Sequence, residues 1–203
     1  MTKSWAKTTI WALFGNMEKE SGMNPGAWQS GSVKTDYTTL GAGYGLVQWD
    51  PSAKYLTNNY SGNWDRGTYA NSSIIGQLKR ILFEVPFTLS SQGAQWLKPG
   101  AFPSCDRAAS NIGIPTTHTF SDFTKSNLSV EALTKMFLIY YERSGEVVAF
   151  GKIVNPTKKE KEAFEAYCKK RTDYSKHWER LVTGQTSPGK RCSTQCMCWD
   201  YLG

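Results

Sequence analysis

Two short stretches bring together residue types that can do acid–base chemistry on a neutral substrate. The first is GNMEKESGMNP, residues 15–25. On a helical projection Ile10, Leu13 and Met17 form an apolar stripe, and Glu20 continues the series. A carboxyl group at the edge of an apolar face loses part of its hydration, which favours its neutral form. In a cleft, a neutral carboxylic acid can donate its proton to a glycosidic oxygen. Glu18 points elsewhere, towards the side of Trp11 and Phe14. The competing reading of Glu20 is a solvated charge at a helix end, although a carboxylate there opposes the helix dipole.

The second stretch is GAGYGLVQWD, residues 41–50. Three glycines in five residues let a backbone turn sharply and approach a ligand closely. Gln48, Trp49 and Asp50 then offer an amide, a stacking face and a carboxylate. The stretch lacks the Gly-Lys-Ser/Thr ending of a phosphate loop and the strand–helix setting of a dinucleotide fingerprint. A tight structural turn is the alternative. Tyr44 and Trp49 suit stacking on pyranose rings, and ordinary core packing competes with that reading.

Other chemistries lack their residues. His118 and His177 stand far apart with no His-Glu-x-x-His spacing, which argues against a zinc hydrolase. Cys105 has no recognisable activation context for a Cys/His peptidase. Cys192, Cys196 and Cys198 form Cys-x3-Cys-x-Cys, not a usual zinc spacing. A metal site, a disulfide and free thiols all stay open for them. With five cysteines, at least one thiol is free or pairs between chains. No cofactor and no catalytic metal are expected.

Four helices are expected to position these residues. The first runs from about Ser4 to Ser21 and stops at Gly22, with Asn24-Pro25 beyond it. The second spans about Ser73 to Val85 and ends at Pro86. The third is capped by Ser129, carries Val130, Leu133, Phe137, Tyr140 and Tyr141, and ends near Gly145. The fourth follows Asn155-Pro156, where Thr157 and Glu160 form a capping box. Residues 22–70, rich in Gly, Asn, Ser, Thr, Trp and Tyr, read as loops and short strands. Residues 183–191 read as a linker, followed by a Cys-rich tail.

The two motifs together resemble the phage tail lysozyme family, a branch of the lysozyme-like muramidases. Glu20-Ser21 followed by Pro25 is similar to the Glu-Ser signature of goose-type lysozymes and soluble lytic transglycosylases. GYGLVQWD is similar to their Gly-aromatic-Gly-Leu-Met-Gln motif. The close match covers residues 10–55, and the QLKRILFE and YYERS segments extend it more loosely to about residue 150. The resemblance implies a mainly α (α+β lysozyme-like) fold, a helical domain over residues 1–182 with a small loop/β-hairpin region forming one wall of a glycan cleft. It implies that Glu20 is the general acid at the MurNAc–GlcNAc linkage. Asp50 matches the carboxylate proposed to position or activate water in goose-type enzymes, although the commoner phage pattern has no acid there. Asp36 is a second candidate for that role. Gln48, Tyr44 and Trp49 would line sugar subsites. Tyr141 is similar in position to a tyrosine that approaches the catalytic Glu in transglycosylases, while Glu142 and Arg143 read as an ion pair.

Composition is compatible with this reading. The 203 residues carry 24 Lys+Arg against 17 Asp+Glu, a net +7, with 39% hydrophobic and 13% aromatic residues. That much apolar surface excludes a disordered chain. No apolar run approaches the ~20 residues of a membrane helix, and the N-terminal stretch lacks a signal-peptide cleavage site. Residues 1–150 hold 13 basic and 11 acidic side chains, so the basic excess sits in the C-terminal quarter. There it can hold the chain near an anionic wall or dock it to other phage tail proteins. The expected partner is bacterial peptidoglycan, reached from a virion tail, with no nucleic-acid recognition and no membrane insertion. The alternatives are a lytic transglycosylase giving 1,6-anhydro products and a non-catalytic glycan-binding tail protein.

Overall fold

The computed structural model describes residues 5–29, 42–56, 74–86, 95–96 and 100–184, with nothing said of the side chain at 53. Asp36, Gly41, the first four residues, and the tail from residue 185 with its three cysteines lie outside the described residues. The helices are α1 (Lys7–Ser21), α2 (Ala53–Leu56), α3 (Ile74–Glu84), α4 (Pro103–Asn111), α5 (Phe120–Thr124), α6 (Val130–Phe137), α7 (Gly145–Lys152) and α8 (Lys158–Thr183). A π-helical turn, Leu138–Glu142, continues α6 without a break. The fold is mainly helical, as expected.

Local signals set most of the boundaries. Gly22 closes α1 in the left-handed region, at φ 60°, where a side chain costs free energy. Ser129 caps α6 on the Ala132 N–H, and Thr157 with Glu160 forms the capping box of α8. Two expectations are corrected. The first helix begins at Lys7, with Trp5 ahead of it packed edge-on against Phe120 and Phe123. The third does not run on to Gly145: it becomes the π turn after Phe137, stops at Arg143, and Gly145 opens α7 under a Ser144 cap.

The core forms where α1 lies against α6 and α8, while α4 pairs with α7. Gly15 lets α1 and α8 approach closely, because a Cβ there would overlap Ser175 Oγ and lie 2.6 Å from the Arg171 carbonyl. Buried polar groups lock the same junction. Asn16 Nδ2 donates to the Thr134 carbonyl at 3.1 Å, and the Thr134 and Ser175 hydroxyls are bonded at 2.8 Å. A second nucleus is aromatic, with Trp96 stacked on Phe120 at 5.0 Å and on Tyr140 at 5.6 Å. Among the described residues the expected hairpin region consists of two antiparallel bridges, Trp28 with Tyr44 and Tyr44 with Trp49.

Candidate active site

Glu20 sits in the last turn of α1, and its neighbour ties that turn to the glycine-rich segment. Ser21 Oγ lies 2.9 Å from the Met17 carbonyl and 3.2 Å from the Leu46 carbonyl, sharing its proton between them. Gln77 of α3 completes the junction. Its Oε1 accepts from the Leu46 N–H at 2.6 Å and its Nε2 donates to the Pro25 carbonyl at 2.6 Å. Gly45 makes room for this clamp: its φ is +81°, and a Cβ there would stand 2.5 Å from Gln77 Oε1. Gln48 is also left-handed, at φ 48°, and its amide donates to the Ala27 and Gly45 carbonyls. Among the described residues three non-glycine positions take positive φ, and two of them, Met23 and Gln48, flank this junction.

The Glu20 carboxylate meets Arg171 of α8, which also binds Glu142 of the π turn through Nε at 3.3 Å. Side-chain exposure is 22% for Glu20 but only 3% for Arg171, and Glu142 is 5% exposed against Arg171. Burial pushes the Glu142 carboxyl up to about 8, outweighing the opposing pull of Arg171. Glu142 therefore pairs with Arg171 and not with Arg143. The Arg143 guanidinium instead donates to the Gln95 and Tyr140 carbonyls. Glu18 faces away, as expected, accepting from the Trp178 indole at 2.7 Å beside Phe14.

The expected stacking residues are brought together, but with their rings covered. Tyr44 packs on Trp28 with ring centres 4.7 Å apart, and Trp49 stacks on Tyr55 at 4.8 Å. Tyr44 and Trp49 are both buried and support the turn from behind. Tyr141 likewise does not reach Glu20. Its hydroxyl donates to Glu84 Oε1 at 3.0 Å, in a buried cluster where Glu84 also binds Arg80 at 2.5 Å and the Gln95 N–H at 2.7 Å. Burial pushes Glu84 up to about 7 despite Arg80. Asp50 closes the segment and is exposed. The charge of Lys54 feels both Asp50 and Glu84.

The sequence matches the family described as phage tail lysozyme over residues 1–178. The chain belongs to the phage tail lysozyme family. It is also 32% identical over 190 residues to Morphogenesis protein 1 of Bacillus phage B103, across 93% of this chain. The chain spans 38% of that relative's length. Family and relative together indicate a lysozyme-like, phage-derived protein.

Within this member of the family, sequence reasoning reached Glu20, Ser21 and the glycine-rich turn because each motif is contiguous. It missed Gln77, Arg171 and the pairing of Glu142. The only available signal was chemical: an amide within the apolar face of α3 and an arginine facing inward on an amphipathic α8. Among the described residues there is no cluster of His, Cys, Asp or Glu suited to a metal ion. No described helix is long and apolar enough to cross a membrane.

Proposed function

We propose that the chain is a peptidoglycan muramidase that cleaves the MurNAc-β-1,4-GlcNAc bond. In this reading it acts from a phage tail tip, opening the wall locally for DNA ejection. Glu20 is the general acid that protonates the leaving oxygen. The observation that carries this is the seat of Glu20: a partly exposed carboxyl held beside the Gly45–Leu46 turn by its own neighbour Ser21. In this reading a glycan strand lies along that turn, with Glu20 as the acid and the exposed Asp50 closing the segment, while Gln48 holds the turn by donating to the Ala27 and Gly45 carbonyls. Asp50 is the candidate for directing the attacking water. Tyr44, Trp49 and Tyr141 contribute by fixing the turn and its floor.

The test is cleavage of purified sacculi. Glu20→Gln is expected to lower the rate by about a hundredfold or more, the scale of general-acid catalysis. Full activity in that variant would sink the mechanism. Mass spectrometry of the muropeptides released by wild type and by Asp50→Asn fixes the reaction class. Reducing ends mean hydrolysis, and 1,6-anhydro ends mean that Asp50 activates no water and the chain is a lytic transglycosylase. Binding to sacculi without any release would make it a non-catalytic glycan-binding tail protein.

A further inference from the structure

Arg171 leaves α8 and reaches two carboxylates on two other elements, Glu20 on α1 and Glu142 on the π turn. Each carboxylate uses one oxygen for it. Arg171 Nη1 and Glu142 Oε1 are buried and have no hydrogen-bond partner among the described residues. Buried polar atoms are nearly always bonded, because leaving one unpaired costs free energy. The cluster therefore holds unused bonding capacity on the cation and on one of its two anions. Counted over Arg171, Glu20 and Glu142 alone, two ionised carboxylates would leave a net −1 around a guanidinium that is almost fully buried.

We infer that Arg171 and Glu142 are positioning residues for Glu20: the cluster keeps one exchangeable proton between its two carboxyl groups, and Arg171 pairs with whichever carboxylate lacks it. This rests on the reading of Glu20 as the general acid. In the arrangement seen, Arg171 engages Glu20 through Nη2 and keeps one bond to Glu142 through Nε, and the proton is assigned to Glu142. In the reactive arrangement the proton is on Glu20, and Arg171 turns fully to Glu142, using the Nη1 and Oε1 that are otherwise idle. Each arrangement is electrically neutral. Glu20 is the exposed member, so exchange with solvent can carry the proton between them.

The proton balance closes over one turnover. Glu20 gives its proton to the glycosidic oxygen as the bond to the anomeric carbon breaks, and the bonding pair stays on that oxygen. Arg171 then bridges both ionised carboxylates, as its two bonds allow, until a proton returns. Water adds to the anomeric carbon, and the proton it releases returns to the cluster. The groups facing Glu142 are Arg171 from α8 and Glu20 and Lys19 from α1. Arg171 also lies over the Tyr167 ring at 5.2 Å, and Tyr167 in turn feels Glu146. The raised Glu142, about 8, agrees with a proton retained near neutrality, and both carboxylates raise Arg171 despite its burial.

The test is the pH dependence of kcat/KM for release of reducing ends from purified sacculi, with the full chain. The alkaline limb reports the whole cluster. Wild type should lose activity above about pH 8. Glu142→Gln leaves Arg171 to Glu20 alone, so the limb should move to lower pH by about one unit, tenfold in rate at a fixed alkaline pH. Arg171→Met removes the cation, so the limb should move to higher pH. Residues with a merely structural role would lower the rate without shifting the limbs in opposite directions. Coincident limbs, or limbs that move the same way, overturn the inference. Should Arg171→Met fail to fold, the Glu142→Gln limb decides alone, and an unmoved limb overturns it. Activity surviving Glu20→Gln overturns the general-acid reading instead. A dead Glu20→Gln with an unmoved Glu142→Gln limb overturns only the cluster.

Discussion

At the scale of single residues, the site depends on side chains that hold backbone in place. Gln77 is the plainest case, since one amide satisfies the Leu46 N–H and the Pro25 carbonyl. Gln77→Leu should fill similar space and leave both backbone groups unpaired. The expected loss is about 2–6 kcal/mol of stability by urea denaturation, at the unsatisfied cost of about 1–3 kcal/mol per group. A loss below about 0.5 kcal/mol would mean that water replaces the amide and the clamp is dispensable. Glu20 and Ser21 were legible in the sequence because their chemistry is written in adjacent positions. Gln77 acts across 31 and 52 residues, and Arg171 reaches Glu20 across 151, so no local pattern reports them. Tyr44 and Trp49 show the opposite limit. Their types suit sugar stacking and core packing equally, and only the neighbours Trp28 and Tyr55 reveal which surface covers them.

At the scale of elements, capping chemistry was readable and helix continuity was not. Gly22, Ser129 and the Thr157–Glu160 box all fall where the sequence puts them. α4 was missed because its buried face is made of small residues, Cys105, Ala108 and Ala109, which give a weak apolar pattern. α7 was missed because Gly145 reads as a stop, whereas Ser144 uses it to start a helix. The π turn is invisible to a 3.6-residue pattern, yet it has consequences. It sends Tyr140 to Asp106 of α4, Tyr141 to Glu84 of α3 and Glu142 to Arg171 of α8. Such turns often lie at functional sites. The contact that places Arg171 is the Gly15 crossing of α1 and α8. Gly15→Ala should force these helices apart, costing about 1–3 kcal/mol as overpacking does. Activity should fall further than the melting curve alone accounts for, because Arg171 moves with α8. An Ala variant with unchanged melting and unchanged cleavage would show that the crossing has slack.

For the whole molecule, the notable charge is not the net +7 but the carboxyl groups held inside. Glu84 and Glu142 are both buried and raised, to about 7 and about 8, by loss of hydration. The sign of their effect on stability follows from proton counting. Below the ordinary glutamate value of 4.5, folded and unfolded chains both bind these protons, and neither group adds a slope. Above it the unfolded chain releases them while the folded chain keeps them, so stability falls as pH rises. The slope is about 1.4 kcal/mol per pH unit for each group, and it ends once the folded groups ionise near pH 7 and 8. The lowered acids Asp122, Glu131 and Glu160 act the other way, and their stabilisation fades only as pH drops below the ordinary carboxylate range. The melting temperature should therefore peak near pH 5 and decline towards pH 8. The double variant Glu84→Gln/Glu142→Gln should flatten that decline. A wild-type melting temperature that stays level from pH 5 to 8, or an equal decline in the double variant, would place the buried protons elsewhere. Of these two groups Glu142 links folding to the inferred chemistry, because the pH range in which it keeps its proton is the range in which the cluster can supply a proton to Glu20.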